Sequence, residues 1–376
     1  MLSFWDTAAE WGIRPVLIGP ERGPLGEAAK RRGVRVVGFD ATDHDGNRAS
    51  LDERRARLGR ILEKERPVLL HANSLAMSRL AGPVVRAARI PSIAHLRDII
   101  GLSRRAIEDI NANTRILAVS RAVLAFHVAA GLDEAKARVV YNGVDLEAFR
   151  PRPASGYLHE ELEIPRGVPL VAAIGQIGLR KGFDVLAEAA HAAKARPPNV
   201  HYLILGERSS EKEESRRFER DLREMFGRLG SRARFLGVRT DVNRVMNELA
   251  ILVHPARQEP LGRVLLEAAA SGIPVIAAEV GGTAEIFPVG SGSAKLIPKD
   301  DASALGAAMR ELLEDETSRR EMGAAARRRA EEAFSIKTAA DKLVREYRAV
   351  LGRRREILNT PPEMRTRPSP GRCRDS

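Results

Sequence analysis

The chain is short of cysteine, of aromatics and of long apolar runs, and each shortage removes a class of protein. Among its 376 residues there is one cysteine, Cys373. Neither an intramolecular disulfide nor a cysteine-based zinc site can form, and a reducing compartment suits such a chain. Aromatics make up 4% of the residues, so any core has to be built from aliphatic side chains and alanine. No apolar run reaches the ~18 residues that a membrane-spanning helix needs. The opening, MLSFWDTAAEWG, lacks the basic start and apolar centre of a secretory signal. A cytoplasmic protein, free or peripheral at the inner face of the cytoplasmic membrane, is expected.

What is present suffices for two domains. The hydrophobic fraction is 44%, enough for two cores, and the length suits two domains of ordinary size. The formal charge is +12. That excess fits a partner carrying phosphates: nucleic acid, anionic lipid or nucleotide. A coding bias towards arginine and alanine would produce the same excess. The arginines are dispersed, without aromatic interleaving, which speaks against nucleic acid as the main partner.

Short β-branched runs recur with helix-like segments between them. Strands are predicted at 14–19, 34–39, 66–72, 91–96, 115–120 and 138–143, and again at 169–175, 200–206, 233–237, 250–255, 274–278 and 294–298. Runs this apolar, without strict alternation, suit strands covered on both faces. Alternation with helices implies parallel sheets. The series pauses at 151–168, rich in Pro and Gly, which reads as a linker. The expected organisation is an N-terminal Rossmann-like domain over 1–150, a second over 169–336, a C-terminal helix over 337–352 and a disordered basic tail over 353–376.

The stretch HPARQEPLGRVLLEAAASGIPVIAAEVGGTAE, residues 254–285, places two glutamates eight positions apart around the start of an apolar helix. Pro255 and Pro260 keep Glu259 on a loop beyond a strand. The helix is predicted to start near Leu261 or Gly262 and to stop at Gly272, which puts Glu267 in its second turn. Eight residues span ~12 Å on a helix, too far for a close acid–base dyad. The pair reads as two separate acceptors for hydroxyls along one elongated ligand. Between them lie the free N–H groups of Arg263, Val264 and Leu265, which favour an anion, and Gly262, which lets it come close.

This segment resembles the E-x7-E signature of the family 4 glycosyltransferases, the retaining GT-B enzymes that use nucleotide sugars. IGQIGLRKGFDVLAEAA, 174–190, resembles their G-x-L-x-x-x-K-G loop. VGGTAEIF, 280–287, resembles their V-G-G-x-x-E segment, and YNGVDLEAFRP, 141–151, the N-G-V-D-x-x-x-F-x-P that closes their first domain. The fold implied is α/β GT-B: two Rossmann-like doubly wound domains facing a central cleft.

The resemblance implies roles residue by residue. Lys181 reaches the donor diphosphate; many members carry an arginine where this chain has Gln176, and Arg180, next to the lysine, either compensates for it or is simply solvated. Glu267 takes the ribose hydroxyls, and Glu259 takes hydroxyls of the donor sugar and matters for turnover. Gly281 and Gly282 let their turn fit beside the sugar, and Glu285 starts the next helix. Backbone near Gly206 and Gly237 meets the base. In the first domain His95 contacts the sugar near its reacting carbon, and Arg97 is a further phosphate candidate. His71 and Asn73 sit on a neighbouring strand end, His254 orients its loop, and Asn142 and Asp145 shape the turn between domains. The donor is expected to be a UDP- or GDP-sugar and the acceptor a glycan or lipid-linked molecule, with an anionic membrane surface as a further partner. No cofactor or catalytic metal is expected.

Members of the family open with a strand and a Gly-rich loop that are missing here, so the first domain is expected to lack its first strand. A parallel sheet without a central strand exposes unpaired backbone. The chain as it stands is expected to fold or act poorly, and a version extended upstream to be competent. Alternatively, the protein has lost part of its acceptor side. Two rival functions stay open at this stage: a GT-B nucleotide-sugar epimerase and a non-catalytic nucleotide-sugar binding protein. A dinucleotide-dependent dehydrogenase is disfavoured, since no G-x-G-x-x-G follows a strand.

Overall fold

The computed structural model describes residues 2–40, 42, 49–192 and 200–359. Among them, twelve strands fall in the twelve predicted places. They are β1 Val16–Gly19, β2 Arg35–Gly38, β3 Leu70–Ala72, β4 Ser92–Leu96, β5 Arg115–Ala118, β6 Ala137–Val139, β7 Leu170–Ile174, β8 His201–Leu205, β9 Ala233–Gly237, β10 Ile251–His254, β11 Val275–Ala278 and β12 Lys295–Ile297. Every pairing between these strands is parallel. Central strands such as β4, β7 and β11 are buried at every position, which is why their sequences run apolar without alternating. Serine side chains start several of the crossover helices: Ser50, Ser74, Ser103 and Ser120 each accept a first-turn N–H, satisfying a donor that the helix cannot.

In the second domain the strand order is β12-β11-β10-β7-β8-β9. The order reverses between β7 and β10, and the crevice beyond their carboxyl ends is where such sheets bind ligands. The loop after β7 carries Lys181 and the loop after β10 carries Glu259, so the topology brings two segments ~78 residues apart to one edge.

The first sheet is in two pieces. β3-β4-β5-β6 form one, and β1-β2 form a separate pair. Among the described residues, β1 and β3 each have a strand partner on one side only. Residues of both line one largely apolar cavity of about 1010 Å³, whose walls also include Phe4, Trp5, Trp11 and Tyr347.

Two segments cross between the domains side by side. Val144 donates its N–H to the Phe334 carbonyl at 2.8 Å and accepts from the Ile336 N–H at 3.1 Å. Gly143 allows this approach, since a Cβ there would lie 2.7 Å from the Ile336 Cα. The stretch 151–168 is not a free linker. It holds a short helix, Tyr157–Glu161, and the Glu248 carboxylate fastens it to the second domain by accepting from the Ser155 N–H and hydroxyl at 2.7 Å and the Gly156 N–H at 2.9 Å.

The last helix, Ile336–Asn359, returns to the first domain, where Ala340, Leu343, Val344 and Val350 join Ile93, Leu117 and Val140 in one apolar cluster. The predicted boundary at 352 needs correction. Residues 353–359 continue the helix, because RRREILN is made largely of good helix formers and the first proline comes only at 361. The rest of the predicted tail, 360–376 with Cys373, lies outside the described residues. Among the described residues no helix is long and apolar enough to cross a membrane.

Candidate functional site

The loop 255–262 is clamped from two sides by glycine turns. Gly182, with φ 64°, sits so close that a Cβ would lie 1.9 Å from the Pro255 carbonyl oxygen. Arg257 completes that clamp: its N–H reaches the Arg180 carbonyl at 2.9 Å, and its guanidinium forks onto Asp184 at 2.9 and 2.7 Å and onto Asp300 at 2.6 Å. On the other side, the Gly282 N–H donates to the Glu259 carbonyl at 2.9 Å. A Cβ on Gly281, φ 53°, would lie 2.0 Å from that same oxygen. The structure thus gives both glycines of the V-G-G turn a local task, which is to back the peptide of Glu259.

Glu259 is 5% exposed. One of its oxygens, Oε2, takes both the Lys181 ammonium at 2.5 Å and the His254 Nε2 at 2.8 Å. Burial pushes the carboxyl up, but the His254 hydrogen bond and the Lys181 charge outweigh it and hold the group well below the usual carboxylate range. Burial pushes His254 below its ordinary value, so a neutral imidazole donates Nε2–H to an ionised carboxylate. His254 was read from the sequence as orienting its loop, and its bond runs to Glu259. Arg180 is mostly exposed, with a long contact of 3.4 Å to the Gln258 carbonyl.

The helix after the loop is Arg263–Ala270, capped by Gly262 at φ 97° with no side-chain hydrogen bond. The first-turn N–H groups of Arg263, Val264 and Leu265 are therefore left without a side-chain acceptor. A Cβ on Gly262 would meet the Leu265 side chain at 2.7 Å. Glu267 lies one turn on and borders a cleft cavity of about 440 Å³, together with Arg263, His95, Arg97 and Asn142. Among the described residues its carboxylate has one weak partner, the exposed guanidinium of Arg263 at 3.5 Å. Burial raises its pKa, and Arg263 only partly opposes the rise. A half-buried carboxylate this poorly satisfied carries a desolvation cost that a ligand supplying donors would relieve.

His95 and Arg97 reach the cavity from β4 and the turn after it. The Arg97 guanidinium is held by the side-chain oxygens of Asn73 at 2.9 Å and Asn142 at 2.8 Å. Burial, with Arg263 nearby, pulls it down to about 10, still a cation at neutral pH.

Two candidates are placed elsewhere. Glu285 spans the domains: its carboxylate accepts from the N–H groups of Arg121 and Ala122 at 2.8 and 2.9 Å, at the start of the helix Arg121–Ala129, and from the Tyr141 hydroxyl at 2.8 Å. Gly237 closes β9 at φ 64° with nothing within 4 Å of a built Cβ, and its carbonyl accepts from the Gly206 N–H at 2.7 Å. Sequence reasoning did not single out Arg257, Tyr141 or Tyr347. Their partners lie 73, 144 and 276 positions away, and no local pattern marks them.

The comparisons with known proteins agree on both halves. A family model described as "Glycosyl transferases group 1" matches residues 157–329, and one described as "Glycosyltransferase Family 4" matches residues 6–148. A GDP-mannose-dependent monoacylated alpha-(1-6)-phosphatidylinositol monomannoside mannosyltransferase of Corynebacterium glutamicum is 31% identical over 54% of this chain and 53% of its own length. A D-inositol 3-phosphate glycosyltransferase of Corynebacterium urealyticum is 31% identical over 66% of this chain and 60% of its own. The chain thus spans about half the length of the first relative and three-fifths of the second. Among solved structures, Anabaena HepE in complex with UDP and glucose aligns with a TM-score of 0.79 at 22% identity, covering 92% of this chain and 95% of that one. Sucrose-phosphate synthase from Thermosynechococcus elongatus aligns with a TM-score of 0.76 at 21% identity, covering 93% and 92%. These likenesses show the GT-B fold.

Proposed function

Because the chain belongs to the group 1 glycosyltransferases of family 4, we propose that it moves a sugar from a nucleotide-sugar donor to a glycan or lipid-linked acceptor, with retention of configuration. One observation carries this reading. The uncapped start of the Arg263–Ala270 helix and the under-satisfied carboxylate of Glu267 open on one interdomain cavity with His95 and Arg97.

In this reading the donor diphosphate rests on the N–H groups of residues 263–265, where the helix dipole favours negative charge. Glu267 accepts from the ribose hydroxyls, and Glu259 from hydroxyls of the sugar. Lys181, bound to Glu259 without a ligand, turns to the diphosphate when it arrives. The bond from the anomeric carbon to the phosphate oxygen breaks, and charge gathers on the departing nucleoside diphosphate. The helix end needs no reorganisation to stabilise that charge, and Lys181 joins it once it has turned. The acceptor oxygen bonds to the anomeric carbon on the same face, and its proton passes to the leaving phosphate. The charge is met by protein groups, so activity is expected to persist in EDTA.

The relatives named for GDP-mannose and for inositol-bearing acceptors, and the neighbour solved with UDP and glucose, make GDP-mannose and UDP-glucose the first donors to test. Inositol phosphate and phosphatidylinositol are the first acceptors. If the acceptor is a lipid, the excess positive charge would favour an anionic membrane surface. The test is turnover: release of nucleoside diphosphate that depends on acceptor, with the product anomer read by NMR. Acceptor-dependent release with the donor's anomeric configuration kept is the expected result. Donor conversion without acceptor would point to an epimerase, and binding without release to a non-catalytic protein.

A further inference from the structure

His95, itself buried, is one end of a part-buried chain that leads out of the cleft. Its Nδ1 faces His71 Nε2 at 3.1 Å, and the two rings lie nearly parallel, 20° apart. His71 Nδ1 in turn faces the Tyr347 hydroxyl at 2.6 Å. Three elements meet here: β3 supplies His71, β4 supplies His95, and the helix Ile336–Asn359 supplies Tyr347. The remaining ring nitrogen, His95 Nε2, is buried and has no partner among the described residues.

One charged neighbour sets the direction of every proton in this chain. The Arg97 Nη2 lies 3.4 Å from His95 Nδ1, and a guanidinium only donates. Two donors cannot face each other, so His95 Nδ1 carries the lone pair. Burial, with Arg97, pushes both imidazoles well below their ordinary value, and a neutral ring has a single proton. On His95 that proton is on Nε2. His71 then donates from Nε2 to His95 Nδ1, which leaves His71 Nδ1 to accept the Tyr347 O–H.

We propose that Arg97, His71 and Tyr347 are positioning residues that hold His95 as its Nε2–H tautomer, so that it presents a hydrogen-bond donor to an oxygen of the bound nucleotide sugar and not a base. The proposal rests on the glycosyltransferase reading for the identity of that oxygen. The tautomer itself does not depend on it. His95 is 4% exposed, and its neighbours at the cavity include the cation Arg97 and the carboxylate Glu267. A donor there suits an electron-rich oxygen of a phosphate or sugar. Tyr347 also makes the C-terminal helix part of the site: it packs edge-on against Phe4 and His71, so the helix that closes the first domain also sets the outermost link.

The direct test is long-range ¹H–¹⁵N correlation at pH 7 on the full chain, labelled at histidine and free of ligand. His71 and His95 are assigned through His71→Gln and His95→Gln. Both rings are expected to show a protonated Nε2 and a bare Nδ1. A protonated Nδ1 on His95, or two protons on either ring, would overturn the proposal. In Arg97→Met the direction is no longer fixed, and an Nδ1–H population should appear on His95. An unchanged spectrum in that variant would remove Arg97 from the role. For function, His95→Ala should lower kcat about 10²-fold, as loss of a transition-state donor does. His95→Gln keeps an N–H where Nε2 stood and should recover to within ~10-fold of wild type. If the glutamine variant, folded by thermal melt, is as slow as the alanine one, the donor role fails. Should wild type transfer no sugar, the functional reading fails while the tautomer result stands.

Discussion

At the scale of single residues, the account depends on two carboxylates in opposite states. Glu259 is buried, ionised and doubly held, whereas Glu267 is half-buried and nearly unpartnered among the described residues. Removing one partner of a buried ion pair leaves the other charge uncompensated, at a cost on the order of 3 kcal/mol. Lys181→Met and Glu259→Gln should therefore each lower stability in urea melts, and the double variant should lose much less than their sum. Additive losses would mean that the pair is not coupled. The sequence made both glutamates legible, because a carboxylate inside an apolar helix demands a reason and a second one stands on the loop eight positions before it. It could not say that Glu259 would be tied to Lys181 and His254, since only the fold brings the loop after β7 beside the loop after β10. The chain His95–His71–Tyr347 was hidden for the same reason: its last member arrives 276 positions later.

At the scale of elements, the twelve strands were readable because most are short runs of aliphatic residues bounded by turn residues, and burial of the central ones on both faces leaves no alternation to confuse. The end of the last helix was not readable, because composition alone cannot separate a charged helix from a charged tail. The glycines were legible as turns but not as clamps. Gly182 and Gly237 share φ 64°, yet a Cβ on Gly182 strikes the Pro255 carbonyl at 1.9 Å while one on Gly237 meets nothing within 4 Å. Gly237→Ala should lose only the left-handed strain of about 1–2 kcal/mol. Gly182→Ala should lose clearly more and should weaken nucleotide-sugar binding, because the loop with Glu259 must shift. Equal losses in the two variants, read by urea melts, would contradict the clamp.

At the scale of the whole molecule, the domains are joined by two crossing segments and by the clasp of Glu285 on the Arg121–Ala129 helix and Tyr141. That carboxylate complements a helix start in the opposite domain, so opening the cleft breaks it. Glu285→Ala should speed hydrogen exchange at the amides of Arg121 and Ala122 and enlarge the radius of gyration in solution scattering. No change in either would deny the clasp. The central claim, however, is that the cleft-facing end of the Arg263–Ala270 helix and Glu267 hold the nucleotide. Calorimetric titration of GDP-mannose and UDP-glucose into wild type and Glu267→Gln, with a thermal melt of each free protein, tests it most directly. The account predicts roughly 10- to 100-fold weaker binding in the variant, the worth of a charged hydrogen bond, together with an unchanged or higher melting temperature, since a poorly satisfied, half-buried charge is gone. Undiminished affinity, or a variant that binds weakly only because it has lost stability, would contradict it.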